Sequence, residues 1–306
     1  MSVALVTHPD CILHEMGAHH PESPERLKAV LDALDSSGFG GQLDVHEAPE
    51  ASLEELARVH GESHIDAVHG KAPEEDYAFL DPDTSMNPKS LSASLRAAGA
   101  VVRAVDLVVG GSATRAFCAV RPPGHHATPD RAMGFCIFNN VAVGAAHALE
   151  RHGVERVAIL DFDVHHGNGT EDMISGDPRA MLCSTFQHPY YPYCGADSRA
   201  ENLVNVPLPA MTGSAGFRAA VERFWKPALE RFEPQLVMVS AGFDAHREDP
   251  LAHIQLGDDD YEWITDFIAE VADRFAQGRI VSTLEGGYNT RALARSVVRH
   301  VRVLAG

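Results

Sequence analysis

The pattern of apolar and polar positions predicts an alternation of strands and helices along the whole chain. Short runs rich in β-branched residues, typical of buried strands, alternate with longer runs in which apolar residues recur at helical spacing. The predicted strands cover residues 3–7, 117–120, 156–161, 181–185, 235–240 and 280–284. The predicted helices cover residues 24–35, 89–108, 140–151, 216–232, 259–275 and 290–303. This alternation predicts an α/β fold built on an open parallel β-sheet with helices on both faces.

Two long stretches, residues 121–139 and 187–213, show neither periodicity and are predicted to be loops. Loops of this length inside a compact domain are commonly functional. The chain contains no internal repeat, low-complexity tract or long linker. We therefore expect residues 1–306 to form a single domain.

Charge and composition narrow the classes of function. The chain carries 25 Lys and Arg against 43 Asp and Glu, a formal net charge of −18. Nucleic-acid binding relies on basic residues that neutralise phosphates, so this balance argues against it. The longest apolar stretch, residues 100–109, is interrupted by Arg103 and Asp106, so no membrane span is predicted. Five cysteines without a CxxC pair, and no secretory signal, predict a reduced, cytoplasmic protein.

Four of the predicted strands are each followed at once by a polar cluster that contains glycine. The clusters are RPPGHHA from residue 121, DFDVHHGNGT from residue 161, SAGFDAH from residue 240 and EGGY from residue 285. In an open α/β sheet, ligands bind in the crevice at the carboxyl ends of the strands. We therefore expect the four clusters to converge there.

Two of these clusters contain candidate metal ligands. Asp163 and His165 lie two residues apart directly after a predicted strand, so both side chains can reach one ion. Asp244, after the next such strand, supplies a second carboxylate. Two carboxylates and one imidazole, with open positions for water and substrate, suit a catalytic Zn²⁺. The alternative is that Asp163 and Asp244 cap helices while His165 packs in a loop.

The adjacent histidines His125 and His126 are candidates for acid–base chemistry, although such pairs are often only solvated or structural. Asp161 and Asn168 lie on either side of the candidate metal ligands Asp163 and His165 in the sequence. Each can accept the Nδ1–H of one imidazole. A carboxylate partner raises the pKa of an imidazole, whereas a neutral amide raises it much less. We therefore hypothesise that the two rings take different protonation states, one a cation and one a general base.

Tyr288 follows the pair Gly286 and Gly287, which would let the backbone bring its phenol close to a polarised carbonyl. The alternative is a half-buried tyrosine at the end of a strand.

Taken together, the motifs RPPGHH, GFC, DFDVHHGNGT, SAGFD and LEGGYN resemble those of the zinc-dependent histone deacetylase family, which has the arginase–deacetylase fold. The resemblance runs from HHPESPERL, near residue 19, to the end of the sheet. Asn168, where class I members carry Asp, and the form LEGGY indicate class II-like and bacterial histone deacetylase-like amidohydrolases.

The resemblance implies roles for individual residues. The implied zinc ligands are Asp163, His165 and Asp244. The implied catalytic residues are His126 with Asn168 as general base and then acid, His125 with Asp161 as electrostatic support, and Tyr288 as hydrogen-bond donor to the acyl oxygen. The implied substrate contacts are Gly134 through its backbone, Phe135 and Tyr191 as tunnel walls, and Arg26 in an inner channel linked to acetate. A structural K⁺ would be held by Asp161, Ser184 and Thr185, with the backbone of Asp163 and His165.

Two further implications of the resemblance are looser. A second monovalent-cation site would lie near residues 174–180, and Asp83 would match an acidic residue at the rim. Leu251 falls near a loop where relatives selective for polyamines can carry an acidic gatekeeper.

The implied reaction is metal-dependent hydrolysis of an N-acyl amide to acetate and a free amine. Acetylated lysine peptides or proteins, acetylated polyamines and other small acyl amines all remain candidate substrates. The chain is expected to act as a monomer or dimer. One rival is a binuclear manganese hydrolase of the arginase type, but Gly167 stands where that type carries a further Asp. A second rival is a non-catalytic module that binds acyl-lysine.

Overall fold

A single open sheet of eight strands organises the computed structural model, which describes residues 3–306. Its strands are β1 (Val3–Thr7), β2 (Leu43–Glu47), β5 (Arg115–Cys118), β6 (Val157–Asp161), β7 (Ala180–Gln187), β8 (Leu203–Leu208), β9 (Leu236–Ala241) and β10 (Ile280–Leu284). They lie in the order β2-β1-β5-β10-β9-β6-β7-β8, and every neighbouring pair is parallel. A separate antiparallel pair consists of β3 (Ala78–Asp81) and β4 (Thr84–Met86).

Helices connect the strands. They are α1 (Asp10–Leu13), α2 (Pro24–Ser36), α3 (Leu53–Leu56), α4 (Glu62–Gly70), α5 (Ser90–Val109), α6 (Asn140–Arg151), α7 (Asn168–Ile174), α8 (Ser214–Ala220), α9 (Lys226–Phe232), α10 (Asp258–Phe275) and α11 (Thr290–Ala305). A short 3₁₀ turn covers Gly40–Gln42. One helix group packs α5 on α6 over β1, β5, β6 and β10, and the other packs α11 on α2 and α10, with contacts to β5 and β9.

Burial on both faces explains the composition of the central strands. All five residues of β6 are buried, as are all six of β9 and all five of β10. A parallel strand covered by helices on both sides reads as a continuous apolar run, which is why these strands were visible in the sequence. The predicted α/β fold, with helices flanking an open parallel sheet, is confirmed.

Several predicted boundaries and one predicted loop were wrong. The stretch 187–213 contains the edge strand β8, and the opposite edge strand β2 was also missed. The segment predicted as one helix over residues 216–232 is divided by a π-helical turn, Val221–Trp225, before α9. Pro227 lies at the start of α9, where its missing N–H removes a regular helical hydrogen bond.

Among residues 3–306, no helix is both long enough and apolar enough to cross a membrane.

Candidate active site

The four polar clusters meet because their strands are neighbours in the sheet. β5, β10, β9 and β6 occupy consecutive positions and run in the same direction, so the loops after them emerge at one edge. This carboxyl edge is the crevice in which open α/β sheets bind ligands. The expected convergence is therefore present in the structure.

Asp163, His165 and Asp244 form a compact group of metal-ligating side chains at this edge. Their donor atoms all lie within 4.8 Å of one another, and all three residues are buried. The Nδ1 atom of His165 is 3.2 Å from Oδ1 of Asp163 and 3.1 Å from Oδ2 of Asp244. A tetrahedral ion with bonds of about 2.0–2.1 Å separates its ligand atoms by about 3.3 Å, so these distances fit one divalent ion.

The backbone fixes the second oxygen of each carboxylate. The N–H of Gly286 donates to Oδ2 of Asp163 at 2.9 Å, and the N–H of Val164 donates to Oδ1 of Asp244 at 2.8 Å. A Cβ at position 286 would lie 2.2 Å from Oδ2 of Asp244, so only glycine allows this approach. The remaining oxygens are thereby oriented towards His165 before any ion arrives.

Neither carboxylate caps a helix, contrary to the alternative considered from the sequence. The residues that precede the neighbouring helices α7 and α10 are Gly167 and Gly257. Burial and the nearby Asp163 carboxylate raise the pKa of Asp244 to about 7. Burial would lower the pKa of His165, but its hydrogen bonds with the two carboxylates outweigh burial and raise the pKa to about 10. Paired buried carboxylates of this kind are stabilised by a cation, so the donor set fits Zn²⁺.

The two adjacent histidines have different hydrogen-bond partners. Nδ1 of His125 lies 3.0 Å from Oδ2 of Asp161, and Nδ1 of His126 lies 2.8 Å from Oδ1 of Asn168. The ring centroids of His125 and His126 are 4.0 Å apart. The structure therefore brings together both imidazole–partner pairs that the sequence suggested.

These partners separate the acidities of the two rings. Burial would lower the pKa of His125, but the carboxylates of Asp161 and Asp163 raise it to about 10. Burial, together with the neighbouring rings of His125 and His165, lowers the pKa of His126 well below its ordinary value. The first ring therefore favours the protonated form at neutral pH and the second favours the neutral form.

Tyr288 is held in place through its backbone and its ring. Its N–H donates to Oδ2 of Asp249 at 2.6 Å, and its ring faces Phe135 edge-on at 5.9 Å between centroids. Burial raises the pKa of Tyr288 well above its ordinary value, so the phenol keeps its proton. The hydroxyl is thus available as a hydrogen-bond donor at the carboxyl edge.

A cavity of about 270 Å³ opens above these groups. Its lining consists of Asp83, His126, Gly134, Phe135, His165, Tyr190, Tyr191, Tyr193, Leu251 and Tyr288. Half of this lining is tyrosine or phenylalanine, and His126, His165 and Tyr288 belong to the candidate catalytic and metal-binding residues. This lining suits an apolar chain that carries a polar group.

Gly134 occupies a position that only glycine can fill. Its φ is +59°, and a Cβ there would lie 2.4 Å from Cδ2 of His126. Its N–H donates to Oδ1 of Asp83 at 3.0 Å, and its carbonyl accepts from the Cys136 thiol at 3.3 Å, which leaves one carbonyl lone pair to meet a substrate amide. Oδ2 of Asp83 accepts a hydrogen bond from the Tyr191 hydroxyl at 3.3 Å, so Asp83 joins both walls of the cavity.

Arg26 does not line this cavity. It is fully buried, and its guanidinium lies 4.9 Å from the ring centroid of Tyr288. It donates to the carbonyls of Gly287 and Glu285 and to the carboxylate of Glu22. Its place is therefore beneath Tyr288, not along the wall of the cavity.

The residues suggested for K⁺ lie on adjacent strands. Asp161 of β6 pairs in register with Ser184 of β7, and both are fully buried. The Ser184 hydroxyl is 3.3 Å from Nδ1 of His166, and Thr185 follows in the same strand. Oxygen atoms in this arrangement are suitable ligands for a hard cation.

Sequence reasoning missed three buried carboxylates that support the site. Glu285 accepts from the N–H groups of Gly124 and His125 at 2.7 and 3.1 Å, and burial raises its pKa to about 7. Glu22 pairs with Arg26 and Arg121. Asp249 accepts from two backbone N–H groups at Tyr288 and the following residue. Apart from Arg26, which lies four residues after Glu22, these partners are distant along the chain, so no local pattern indicated their contacts.

Comparison with known proteins agrees with this architecture. The histone deacetylase domain matches residues 20–304. The chain is 41% identical over 279 residues to the histone deacetylase-like amidohydrolase of Pseudomonas aeruginosa, covering 89% of this chain and 73% of that protein. It is 34% identical over 333 residues to polyamine deacetylase HDAC10 of Mus musculus, covering 100% of this chain and 48% of that protein.

A solved structure, that of the HDA15 HD domain, superposes with a TM-score of 0.93 at 34% sequence identity, covering 100% of this chain and 90% of that one. The chain thus has the arginase–deacetylase fold. The chain belongs to the histone deacetylase family, a family of hydrolytic deacetylases.

Proposed function

We propose that the protein is a zinc-dependent deacetylase that hydrolyses the acyl amide of lysine side chains in peptides or proteins. The observation that carries the proposal is a buried Asp–His–Asp donor set at a cavity lined by aromatic side chains, with His126 and Tyr288 beside it. When bound to Asp163, His165 and Asp244, Zn²⁺ would supply Lewis-acid polarisation of the acyl carbonyl and of the attacking water. The remaining work falls to side chains of this chain.

His126 acts as the general base. Its low pKa keeps Nε2 free of a proton at neutral pH, and Asn168 holds Nδ1 so that Nε2 is directed into the cavity. It accepts the proton of the attacking water and returns it to the departing amine. His125, kept cationic by Asp161, stabilises the negative charge that develops beside it.

Tyr288 acts as the oxyanion donor. Its protonated phenol donates to the acyl oxygen as the carbonyl becomes tetrahedral, and Asp249 and Arg26 hold the ring in position from behind. Phe135 and Tyr191 enclose the methylene chain of the substrate, and the Gly134 carbonyl accepts its amide N–H. Collapse of the oxyanion releases acetate and the free amine.

The region around Leu251 favours acyl-lysine over acylated polyamines, and the Asp83 carboxylate, which also lines the cavity, accepts hydrogen bonds from the Gly134 N–H and the Tyr191 hydroxyl. Leu251, which lines the cavity, offers no charge to a distal ammonium group. Asp249 is occupied by the N–H groups of Leu251 and Tyr288, and Glu248 pairs with Arg295 at 2.8 Å. A polyamine would therefore lack a free carboxylate at this part of the mouth.

The test compares kcat/KM for an acetyl-lysine peptide and for acetylputrescine. We expect wild type to prefer the peptide by at least about tenfold, and Leu251→Glu to shift the ratio towards acetylputrescine by about 10–100-fold because it adds a charge partner. Leu251→Gln has nearly the same shape without the charge and serves as the control. Wild-type preference for acetylputrescine would overturn the assignment of substrate, and undetectable hydrolysis of both by zinc-loaded protein would support an acyl-lysine binding module.

We also propose a single catalytic ion and not a binuclear centre. Within residues 3–306, the group of close donors at this edge has three members, and Gly167 supplies no further carboxylate. Elemental analysis that returned two Mn²⁺ at this edge would contradict the proposal.

A structural K⁺ at Asp161, Ser184 and Thr185 and a cytoplasmic location complete the proposal. All five cysteines are free, and four of them are buried, which is compatible with a reducing compartment.

A further inference from the structure

A second cluster of metal-ligating side chains lies far from the catalytic loops. Asp106 belongs to α5, His147 belongs to α6, and His152 follows the last residue of α6. Their donor atoms all lie within 4.8 Å of one another. Because α5 and α6 lead into the amino ends of β5 and β6, the cluster occupies the amino edge of the sheet, opposite the catalytic site.

The hydrogen bonds of this cluster converge on one atom. Oδ1 of Asp106 is 2.8 Å from Nε2 of His147 and 2.8 Å from Nε2 of His152. Both imidazoles thus direct the same nitrogen towards the same carboxylate, and the two rings lie 5.3 Å apart between centroids. A cation at this point would replace the protons in these two hydrogen bonds. Each Nε2 atom would have to move about 0.5 Å further from the carboxylate oxygen to allow metal–ligand bonds of about 2.0–2.1 Å.

The surroundings provide an outer partner for the inner imidazole. NH1 of Arg58 is 2.9 Å from Nδ1 of His147, and since a guanidinium only donates, Nδ1 is the acceptor and Nε2 carries the proton. Oε1 of Glu55 lies 4.0 Å from the same Nδ1. When Nε2 binds a metal, the proton moves to Nδ1, so the Arg58 guanidinium must move away and Glu55 must approach from 4.0 Å to accept this proton. A carboxylate in that position is common beside metal-bound histidines.

The cluster is accessible to ions, and its surroundings carry charges of both signs: Glu54 and Glu55 line the same cavity as Arg58 and Arg151. The cluster lines an open cavity of about 430 Å³, and the His152 side chain is 24% exposed, so a hydrated ion can reach it. The carboxyl ends of α5 and α6 meet here, and the partial negative charge of two helix ends attracts positive charge. Two imidazoles and one carboxylate, with room for water, form a donor set for a borderline divalent ion such as Zn²⁺.

We propose that Asp106, His147 and His152 form a second zinc-binding site that joins the carboxyl ends of α5 and α6. The site leaves the catalytic loops untouched. Its ion is held by side chains from two helices that already pack together, so binding stabilises the folded chain.

The experiment titrates zinc-loaded protein with ZnCl₂ by calorimetry and follows thermal unfolding in parallel. We expect wild type to bind one further equivalent, and the melting temperature to rise by about 4 °C when free zinc reaches about 100 times the dissociation constant. His152→Ala and Asp106→Asn should abolish both the further equivalent and the rise. Asp106→Asn keeps the shape of the side chain, so a folding defect in the alanine variant would not obscure the result.

His46→Ala is the matched control, because His46 forms an exposed pair with Asp44 at 2.9 Å that offers only two ligands. It should behave as wild type. The proposal is overturned if wild type binds no further equivalent, or if the equivalent and the melting-temperature rise persist in His152→Ala and Asp106→Asn. Replacing Zn²⁺ with Co²⁺ should give stronger visible absorption per chain in wild type than in the two variants, because wild type holds one more ion.

Discussion

The two edges of the sheet present similar donor atoms in opposite settings. At the carboxyl edge, Asp163 and Asp244 extend from loops and are fully buried, and backbone N–H groups fix their second oxygens. At the amino edge, Asp106 and His147 extend from helices, and a single carboxylate oxygen receives both imidazoles. The first group is oriented before an ion binds, whereas the second must spread apart to admit one.

This difference explains why we assign catalysis to the carboxyl edge of the sheet and not to the amino edge. Loops after parallel strands can bring side chains from four strands to one point, while helix ends bring together only those of neighbouring helices. Burial at the carboxyl edge lowers the local dielectric and strengthens each charge interaction. At the amino edge, water competes for the same groups, so an ion there would bind more weakly and exchange faster.

Removing a ligand at the carboxyl edge should have the largest effect. Asp244→Asn replaces one carboxylate of the donor set, so we expect the purified protein to lose its zinc and its activity to fall to background. Elemental analysis and deacetylation of an acetyl-lysine peptide measure the two effects. His46→Ala should keep both at wild-type level; full activity in Asp244→Asn would remove Asp244 from the site.

Removing the oxyanion donor should have the next largest effect. Tyr288→Phe deletes one hydroxyl and keeps the ring that packs on Phe135 and Arg26. We expect kcat to fall by about 10²–10³ while zinc content and KM change little. Steady-state kinetics with elemental analysis would check this. Unchanged turnover would exclude the phenol from the reaction, and loss of zinc would show that it supports the metal site instead.

Changing the partner of the base should shift the pH profile. The low pKa of His126 predicts that kcat/KM does not fall as the pH decreases through about 6.5, where an ordinary histidine would gain its proton. Asn168→Asp places a carboxylate on Nδ1 and raises that pKa. A base is active only when neutral, so the acidic limb should move to higher pH by the same amount. An acidic limb that stays in place would contradict the role of His126.

The amino edge should give the smallest effect when no metal is added. His152→Ala breaks a partly exposed contact with Asp106, and such contacts contribute about 0–1 kcal/mol to the free energy of unfolding. Chemical denaturation in the presence of a chelator measures this difference, with His46→Ala as the exposed reference. A loss of several kcal/mol would mean that the cluster is a structural ion pair, tightly oriented like the carboxyl edge.

The central strands and the four polar clusters were predictable from the sequence for a physical reason. Strands buried on both faces must be apolar along their whole length, so β6, β9 and β10 stand out from their surroundings. The edge strands β2 and β8 are only partly buried and carry mixed side chains. They form strands mainly because they pair with β1 and β7, and this pairing is not visible in the local sequence.

The sequence by itself determined which side chains are available and which strands they follow. Asp163 and His165 are two residues apart, and His125 precedes His126, whatever the rest of the chain does. Only the tertiary structure decided which of them meet. The fixing of Asp244 by the N–H of Val164, the position of Arg26 behind Tyr288, and the contact of Glu285 with His125 join residues about 80, 260 and 160 positions apart. Such contacts depend on how strands are ordered in the sheet, and strand order is set by the packing of the whole core and by no single segment.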